Sequence, residues 1–343
     1  MKKTAEAVSL GHPDKIADYI SSYILDQMIE QDPSVKYAVE VMVKANTVVL
    51  GGEITGKVDL WDLPRYVADA LAEIGYTKDY SAKWRHNAIN PDAIKIVNMI
   101  GTQSPDINQG VTQNGWGDQG VFVGYACQGE ANLPKEVYLA HKLNKALYEL
   151  AKKSDNLGID IKTQITLDDK GHVDTAIAAV PMMEKVDLTD KICKTLKEQP
   201  KNIIVNGTGI YQMHSSIADC GITGRKLACD FYSMTAPIGG GCPWTKDGSK
   251  ADLTLNLYAR ELALKYLADN DECLVYLSSC IGKSELPSAA IKCFKNGKIK
   301  TQNIKITQTP RDLITHFCLD KPVYATMCKK GIMTYISDLL ANP

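Results

Sequence analysis

A stretch of helix periodicity that runs at once into a tight strand pair limits what this chain can fold into. Between Asp14 and Gln31, Ile16, Ala17, Ile20, Tyr23, Ile24 and Met28 fall on one face, the spacing of an amphipathic helix. Pro13 sits just ahead, at a first-turn position where its missing N–H costs nothing. Val39, Val41 and Val43 then alternate with Glu40, Met42 and Lys44, as along a half-buried strand. Ala45 and Asn46 turn the chain, and Thr47 to Ile54 reads as the returning strand. The unit is a helix plus a hairpin, not a strand–helix–strand crossover, so its sheet is antiparallel.

The same alternation continues along the chain. Helices are predicted near Leu60–Ile74, Lys135–Lys152, Asp190–Leu196 and Leu253–Leu267. Strands are predicted near Lys162–Leu167, Val173–Val180, Leu274–Ser279 and Ala289–Phe294. The predicted class is α+β, with mainly antiparallel sheets covered by helices. At 343 residues the chain exceeds one ordinary core, which implies two or three domains. No repeat is visible in the sequence, and no Pro/Gly/Ser-rich linker marks a boundary.

The 39 basic and 40 acidic residues leave a formal net charge of -1. No global field draws such a chain to nucleic acid or to a membrane, so any basic site is local. Lys2 and Lys3 open the chain with no apolar stretch behind them, and no signal peptide is read there. No apolar run approaches the roughly 20 residues that span a bilayer. The expected setting is the cytoplasm. Ten cysteines are scattered without a C-x-x-C pair or zinc spacing, which suits thiols in a reducing compartment. Cys220, Cys229 and Cys280 are expected to be small buried apolar residues.

Glycine and charge concentrate in four short stretches. Gly11-His12-Pro13-Asp14-Lys15 opens the first helix, where the helix N-terminus favours anions, Lys15 adds positive charge and Asp14 offers oxygen to a hard cation. Gln103-Ser104-Pro105-Asp106-Ile107-Asn108-Gln109-Gly110 and Gly117-Asp118-Gln119-Gly120 make a long polar loop entering Val121-Phe122-Val123. That loop is low in Lys and rich in groups that make directed hydrogen bonds, as a ligand loop would be. Asp219-Cys220-Gly221-Ile222-Thr223-Gly224-Arg225-Lys226 pairs two glycines with cations suited to phosphate oxygens. Gly239-Gly240-Gly241 leads to Lys246-Asp247-Gly248-Ser249-Lys250-Ala251-Asp252, where lysines around an aspartate match the needs of a metal–polyphosphate complex. Any one of these alone is equally an ordinary cap, turn or solvated loop. There is no P-loop, no dinucleotide fingerprint, no nucleophile elbow and no H-E-x-x-H. Phosphate, if bound, is bound by dispersed lysines and arginines.

Together and in this order, the stretches resemble the motif set of the methionine adenosyltransferase family, from about Glu6 to about Ala325. SLGHPDKIAD, from Ser9 to Asp18, is similar to the family's SEGHPDKIAD. VLGGEIT from Val49, QSPDINQGV from Gln103, GDQG from Gly117, ADCGITGRK from Ala218 and the spacing K-D-x-S-K-x-D from Lys246 also match. The resemblance implies three structurally similar units, divided as 1–10 plus 113–206, 11–112 and 207–343. It implies that methionine sulfur displaces the triphosphate of ATP at C5′, giving S-adenosylmethionine, and that the triphosphate is cut to diphosphate and phosphate.

The resemblance also implies residue roles. His12 stabilises the leaving oxygen. Lys15, Lys162, Arg225, Lys226, Lys246 and Lys250 contact the polyphosphate. Asp14 and Asp252 hold Mg²⁺, and Glu40 is linked to K⁺. Glu53 and Gln103 bind the amino-acid head of methionine, with Asp118 nearby. Asp219 holds the ribose, and the Tyr211 ring stacks on adenine. Active sites lie between two subunits, giving a homodimer, with a homotetramer as the larger alternative. The sequence departs from the family pattern at Leu10, Ile210, the Cys242-Pro243-Trp244-Thr245 stretch and a loop shortened between Gly110 and Gly117.

Overall fold

The computed structural model describes residues 1–102 and 115–341. In chain order the elements are β1 (Lys3–Val8), α1 (Pro13–Gln31), β2 (Lys36–Lys44), β3 (Thr47–Thr55), α2 (Leu63–Ile74), α3 (Lys78–Lys83) and β4 (Lys95–Gly101). There follow β5 (Gly120–Cys127), α4 (Lys135–Ala151), β6 (Lys162–Leu167), β7 (Val173–Ala179), α5 (Thr189–Leu196), β8 (Asn202–Val205), α6 (Ser215–Ala218) and β9 (Gly221–Ile222). The last third adds α7 (Leu227–Asp230), α8 (Ala251–Leu267), β10 (Glu272–Ser279), β11 (Ser288–Lys295), β12 (Lys298–Asn303), α9 (Pro310–His316), α10 (Tyr324–Lys330) and α11 (Ile332–Ala341).

The strands build three four-stranded sheets, ordered β1-β6-β7-β8, β4-β3-β2-β9 and β12-β11-β10-β5. All pairs are antiparallel except β3 with β4 and β7 with β8. Those two parallel pairs are the ones joined through helices, α2 and α3 in the first case and α5 in the second, as parallel geometry requires. Each sheet carries one long helix: α4 lies on β1 and β6, α1 on β2 and α8 on β5 and β10. β5, taken from the middle of the chain, completes the sheet of the C-terminal strands, so sheet membership does not follow chain order.

The predicted α+β class with mainly antiparallel sheets is the observed one. α2 starts at Leu63 rather than Leu60, with Pro64 in its first turn. Strands β1, β4, β8, β9 and β12 and the three C-terminal helices carry no expectation from the sequence. They are short, or they lie mostly exposed, so no strong alternation marks them. The C-terminal helices are tied to α1 by a polar device: the Asp26 carboxylate accepts the N–H groups of Tyr324 and Ala325 (2.9 and 2.8 Å) at the start of α10. Cys229 is buried as expected, but Cys220 and Cys280 are only half-buried, because each sits where the chain leaves a helix or strand rather than in a sheet interior.

α8 packs unusually close to β5. Gly124 lies against the main chain of Ala259 and Arg260, with no room for a Cβ. Gly124→Ala should overpack this contact and destabilise the protein by about 1–3 kcal/mol. Urea unfolding would read this as a lower midpoint at unchanged slope.

Candidate active site

α1 begins at the centre of the site. His12 is its N-cap, in extended backbone (φ -68°, ψ 138°), and its Nδ1 accepts the Asp14 N–H (3.1 Å). With Nδ1 an acceptor, the neutral ring carries its proton on Nε2 and presents an N–H donor. Burial, then the charges of Lys162 and Lys226, lower the His12 pKa to about 3. The ring is therefore an uncharged donor at neutral pH.

β9 and the turn after it lie across the same helix end. Gly221 packs on the Pro13 carbonyl, where a Cβ would collide, so only glycine lets the strand approach. The approach delivers the Ile222 N–H to Asp14 Oδ1 (2.9 Å) and the Gly224 N–H to Asp18 Oδ1 (2.9 Å). Lys226 Nζ bonds Asp14 Oδ2, and Arg225 Nε stands 3.8 Å from Oδ1. Burial works against the charged form of Asp14, but Lys226 and the Ile222 N–H outweigh it and hold the carboxyl below its ordinary range.

β6 supplies the opposite wall. Lys162 pairs with Val8 at the strand start and acts electrostatically on His12 and on Asp160. Asp160 accepts the Ser215 N–H (2.9 Å) and feels Lys162, Asp219 and Asp14, while burial pushes its pKa up to about 7. Sequence reasoning missed Asp160, although its place two residues before Lys162 was a signal. Asp219 closes the C-terminal end of α6, and its carboxylate accepts the Cys220 N–H (2.8 Å). Tyr211 is half-buried, its carbonyl bonded by the Met182 N–H (2.9 Å). His12, Asp14, Lys162, Asp219, Arg225 and Lys226 thus gather at one place, with Asp160 added.

A second set forms around the glycine-rich stretch. Lys246 Nζ bonds Asp252 Oδ2 (2.6 Å), and Asp252 Oδ1 accepts the Gly241 N–H (2.7 Å). Burial opposes the Lys246 charge, but Asp252 raises its pKa above the ordinary value. Glu40 accepts from the hydroxyls of Thr223 and Thr245 (the latter 3.0 Å). The turn that carries Arg225 and Lys226 is thereby joined to the Lys246 loop. Lys250 is buried at the start of α8, 3.6 Å from Asp247. Glu53 lies half-buried in β3, opposite Ala38 and Gly101. Asp118 is exposed and accepts the Gln119 N–H (2.7 Å). Among the described residues, no hydrogen bond or ion pair ties Glu53 or Asp118 to either set. Gln103 and the shortened loop before Gly117 lie outside the described residues.

Lys15 is the most enclosed of the expected polyphosphate lysines. Lys15 is 4% exposed, and its ammonium is taken up by Asp230 (2.9 Å to both oxygens) and Asp18 (3.1 Å) instead of facing open space for a phosphate. Burial opposes its charge, yet Asp230 and Asp18 push its pKa well up.

Among the described residues no three or more His, Cys, Asp or Glu cluster as a metal cage. Asp14 and Asp252 instead stand singly among lysines. That donor set fits Mg²⁺, which is usually held by one or two carboxylates and completed by phosphate oxygens and water. Glu40 with two hydroxyls offers the oxygen atoms a K⁺ ion would take.

Three helix-covered, mainly antiparallel sheets, with dispersed cations and single carboxylates at a helix end, suit a phosphate-bearing ligand held without a P-loop. Comparisons with known proteins agree. The N-terminal, central and C-terminal domain models of S-adenosylmethionine synthetase match residues 1–105, 113–216 and 213–338. An S-adenosylmethionine synthase of Paramagnetospirillum magneticum is 32% identical, covering 96% of this chain and 91% of its own. One of Pelagibacter ubique is also 32% identical, with the same coverage. A solved structure of an unusual S-adenosylmethionine synthetase from Campylobacter jejuni superposes with a TM-score of 0.84 at 30% identity, covering 96% of this chain and 94% of that one. The chain belongs to the S-adenosylmethionine synthetase family, and its enzyme class is methionine adenosyltransferase. Among the described residues no helix is long and apolar enough to cross a membrane.

The state of His12 can be read directly. Its imidazole resonances should stay those of a neutral, Nε2-protonated ring from pH 8 down to about pH 5, and titrate near 3. Its folded pKa lies below the unfolded value of about 6.5, so only the unfolded chain takes up this proton between the two. The stability it withholds should therefore appear as a loss when pH falls from about 6.5 towards 3. A midpoint near 6.5 in the folded protein would contradict the buried, cation-flanked setting.

Proposed function

We propose that the chain joins ATP and L-methionine by attack of the thioether sulfur on C5′ of the ribose. The C5′–O bond breaks, the triphosphate departs, and the sulfur becomes a sulfonium. A thioether carries no proton, so no general base is required. The demand falls on the leaving group, whose oxygen gains negative charge as the bond breaks. The single observation that carries this reading is the neutral His12 donor flanked by Lys162 and Lys226 at the N-terminus of α1.

His12 donates from Nε2 to the departing oxygen. Lys162, Arg225, Lys226, Lys246 and Lys250 neutralise the polyphosphate, which is then hydrolysed to diphosphate and phosphate. Asp219 and Asp160 face the ribose, and Tyr211 lies flat against the adenine. Glu53, Asp118 and Gln103 receive the amino and carboxyl groups of methionine. Asp14 and Asp252 would hold Mg²⁺, which supplies positive charge to the phosphate oxygens, and Glu40 would hold K⁺. In the free protein Lys226 and Lys246 neutralise the same two carboxylates, so substrate binding exchanges one set of ion pairs for another.

The working form proposed is a homodimer with sites shared between subunits. Supporting this, the face of the second sheet away from α1 carries Ile222, Met42, Val49 and Val97 in one row across β9, β2, β3 and β4. The next row holds Glu40, Gly51 and Met99, and the one after it holds Glu53. Met99 is 67% exposed and Val97 44%, an apolar surface that a partner would cover. A second copy there brings its own charges towards Glu53 and Glu40. A tetramer of such dimers remains compatible. We further propose that each sheet and its long helix form one of three related units, corresponding to 1–10 plus 113–206, 11–112 and 207–343 apart from the β5 and β9 exchanges.

Mass spectrometry of the purified protein with ATP, methionine, Mg²⁺ and K⁺ should show S-adenosylmethionine with matching phosphate and diphosphate. Phosphate release without that product would mean a polyphosphatase or a different sulfur substrate, and neither product a non-catalytic subunit. Lys246→Ala should cut adenosyl transfer by about two orders of magnitude, the loss typical of one group that stabilises developing charge. Near-normal turnover would remove it from the leaving-group role. Tyr211→Ala should weaken ATP binding by about 1–3 kcal/mol, the range for loss of base stacking. Calorimetry showing unchanged affinity would assign the stacking elsewhere.

A further inference from the structure

A buried charge cluster beneath the first turn of α1 is left over once the polyphosphate contacts are assigned. Lys15 Nζ lies 2.9 Å from both Asp230 oxygens and 3.1 Å from Asp18 Oδ2. It also stands 4.4 Å over the Trp244 ring. The Trp244 Nε1–H donates to Asp230 Oδ2 (2.8 Å), and the Trp244 carbonyl accepts the Ser22 hydroxyl (3.2 Å). Asp18 uses its other oxygen to accept the Gly224 N–H (2.9 Å). The ammonium is thus ringed by two carboxylates and an indole, and a phosphate would have to displace one of them.

Both ends of the cluster lead into the site. Gly224 is flanked by Thr223, which bonds Glu40, and by Arg225 and Lys226, which face Asp14. Trp244 is followed by Thr245, which also bonds Glu40, and by Lys246, which bonds Asp252. We propose that Lys15, Asp18, Asp230 and Trp244 are a positioning network that fixes the Arg225–Lys226 turn against the Lys246 loop. Lys15 then serves adenosyl transfer from inside the protein and is not a polyphosphate ligand. The physical reason is that a desolvated ion cluster tolerates little displacement, because losing any member leaves a buried charge uncompensated. Trp244 adds a flat ring and a donor to that cluster, at a position where the chain departs from the family's smaller residues.

The network rests on the proposed reaction only for its kinetic readout. The test uses full-length Trp244→Phe and Lys15→Met, each checked for cooperative unfolding well above the assay temperature. Four quantities are measured: kcat, KM for ATP, the Kd of inorganic tripolyphosphate, and amide exchange over the 219–230 segment. Trp244→Phe keeps a ring but loses the Nε1–H, and it should lower kcat about tenfold through misplacement of the turn. Tripolyphosphate Kd should rise no further in Lys15→Met than in Trp244→Phe, and the 219–230 amides should exchange faster in both. Lys15→Met should show the same fall in kcat, and the double variant should be no worse than the weaker single one, as expected of one coupled network. Wild-type kcat and exchange in Trp244→Phe would overturn the proposal. So would a roughly tenfold loss of tripolyphosphate affinity in Lys15→Met with Trp244→Phe silent, which would make Lys15 a phosphate ligand after all. If Lys15→Met does not fold, Trp244→Phe decides alone. If the wild-type protein forms no S-adenosylmethionine, the reaction reading fails, while exchange and tripolyphosphate affinity still decide the network.

Discussion

The close approach of β9 to the N-terminus of α1 is the constraint on which the site depends. Gly221 has no Cβ, so the strand lies directly on the Pro13 carbonyl. From there the Ile222 N–H reaches Asp14, and the Gly224 N–H in the turn that follows reaches Asp18. Those two bonds hold the turn that carries Arg225 and Lys226 beside the cap histidine. A helix N-terminus already favours negative charge, and the two basic side chains add to it. One backbone contact thus links the two short motifs, His12–Lys15 and Asp219–Lys226, that lie about two hundred positions apart in the chain.

Charges at this centre are buried, and burial sets their chemistry. Desolvation makes His12 a neutral donor and pushes Asp160 towards neutrality, while Asp14 stays ionised because a lysine and an N–H hold its proton off. The same environment therefore maintains both a donor without charge and a carboxylate with one. In the free protein the lysines rest on the carboxylates. A buried lysine or carboxylate left without a partner costs several kcal/mol, so these pairs help hold the two loops in place.

The departures from the family pattern fall around this centre. Ile210 is about half exposed beside Tyr211. Leu10 packs partly buried against the core ahead of His12. Trp244 fills the space between α1 and α7 and shares Asp230 with Lys15.

Periodicity was enough to read the α+β class and the main helices and hairpins, and motif order the family. Each is a local property: three- and four-residue spacing makes an amphipathic helix, and alternation makes a strand, wherever the element ends up. The short edge strands β8, β9 and β12 escaped, since a few half-exposed residues leave no periodic trace. Asp160 escaped because its chemistry comes from burial beside Lys162 and Asp219. Lys15 shows the converse, since a lysine at a helix start resembles a phosphate ligand, and only the fold brings Asp230, 215 positions away, against it. Which charges are paired, and which stay available to substrate, depends on the dielectric and distances that long-range packing creates, and no spacing along the chain encodes them.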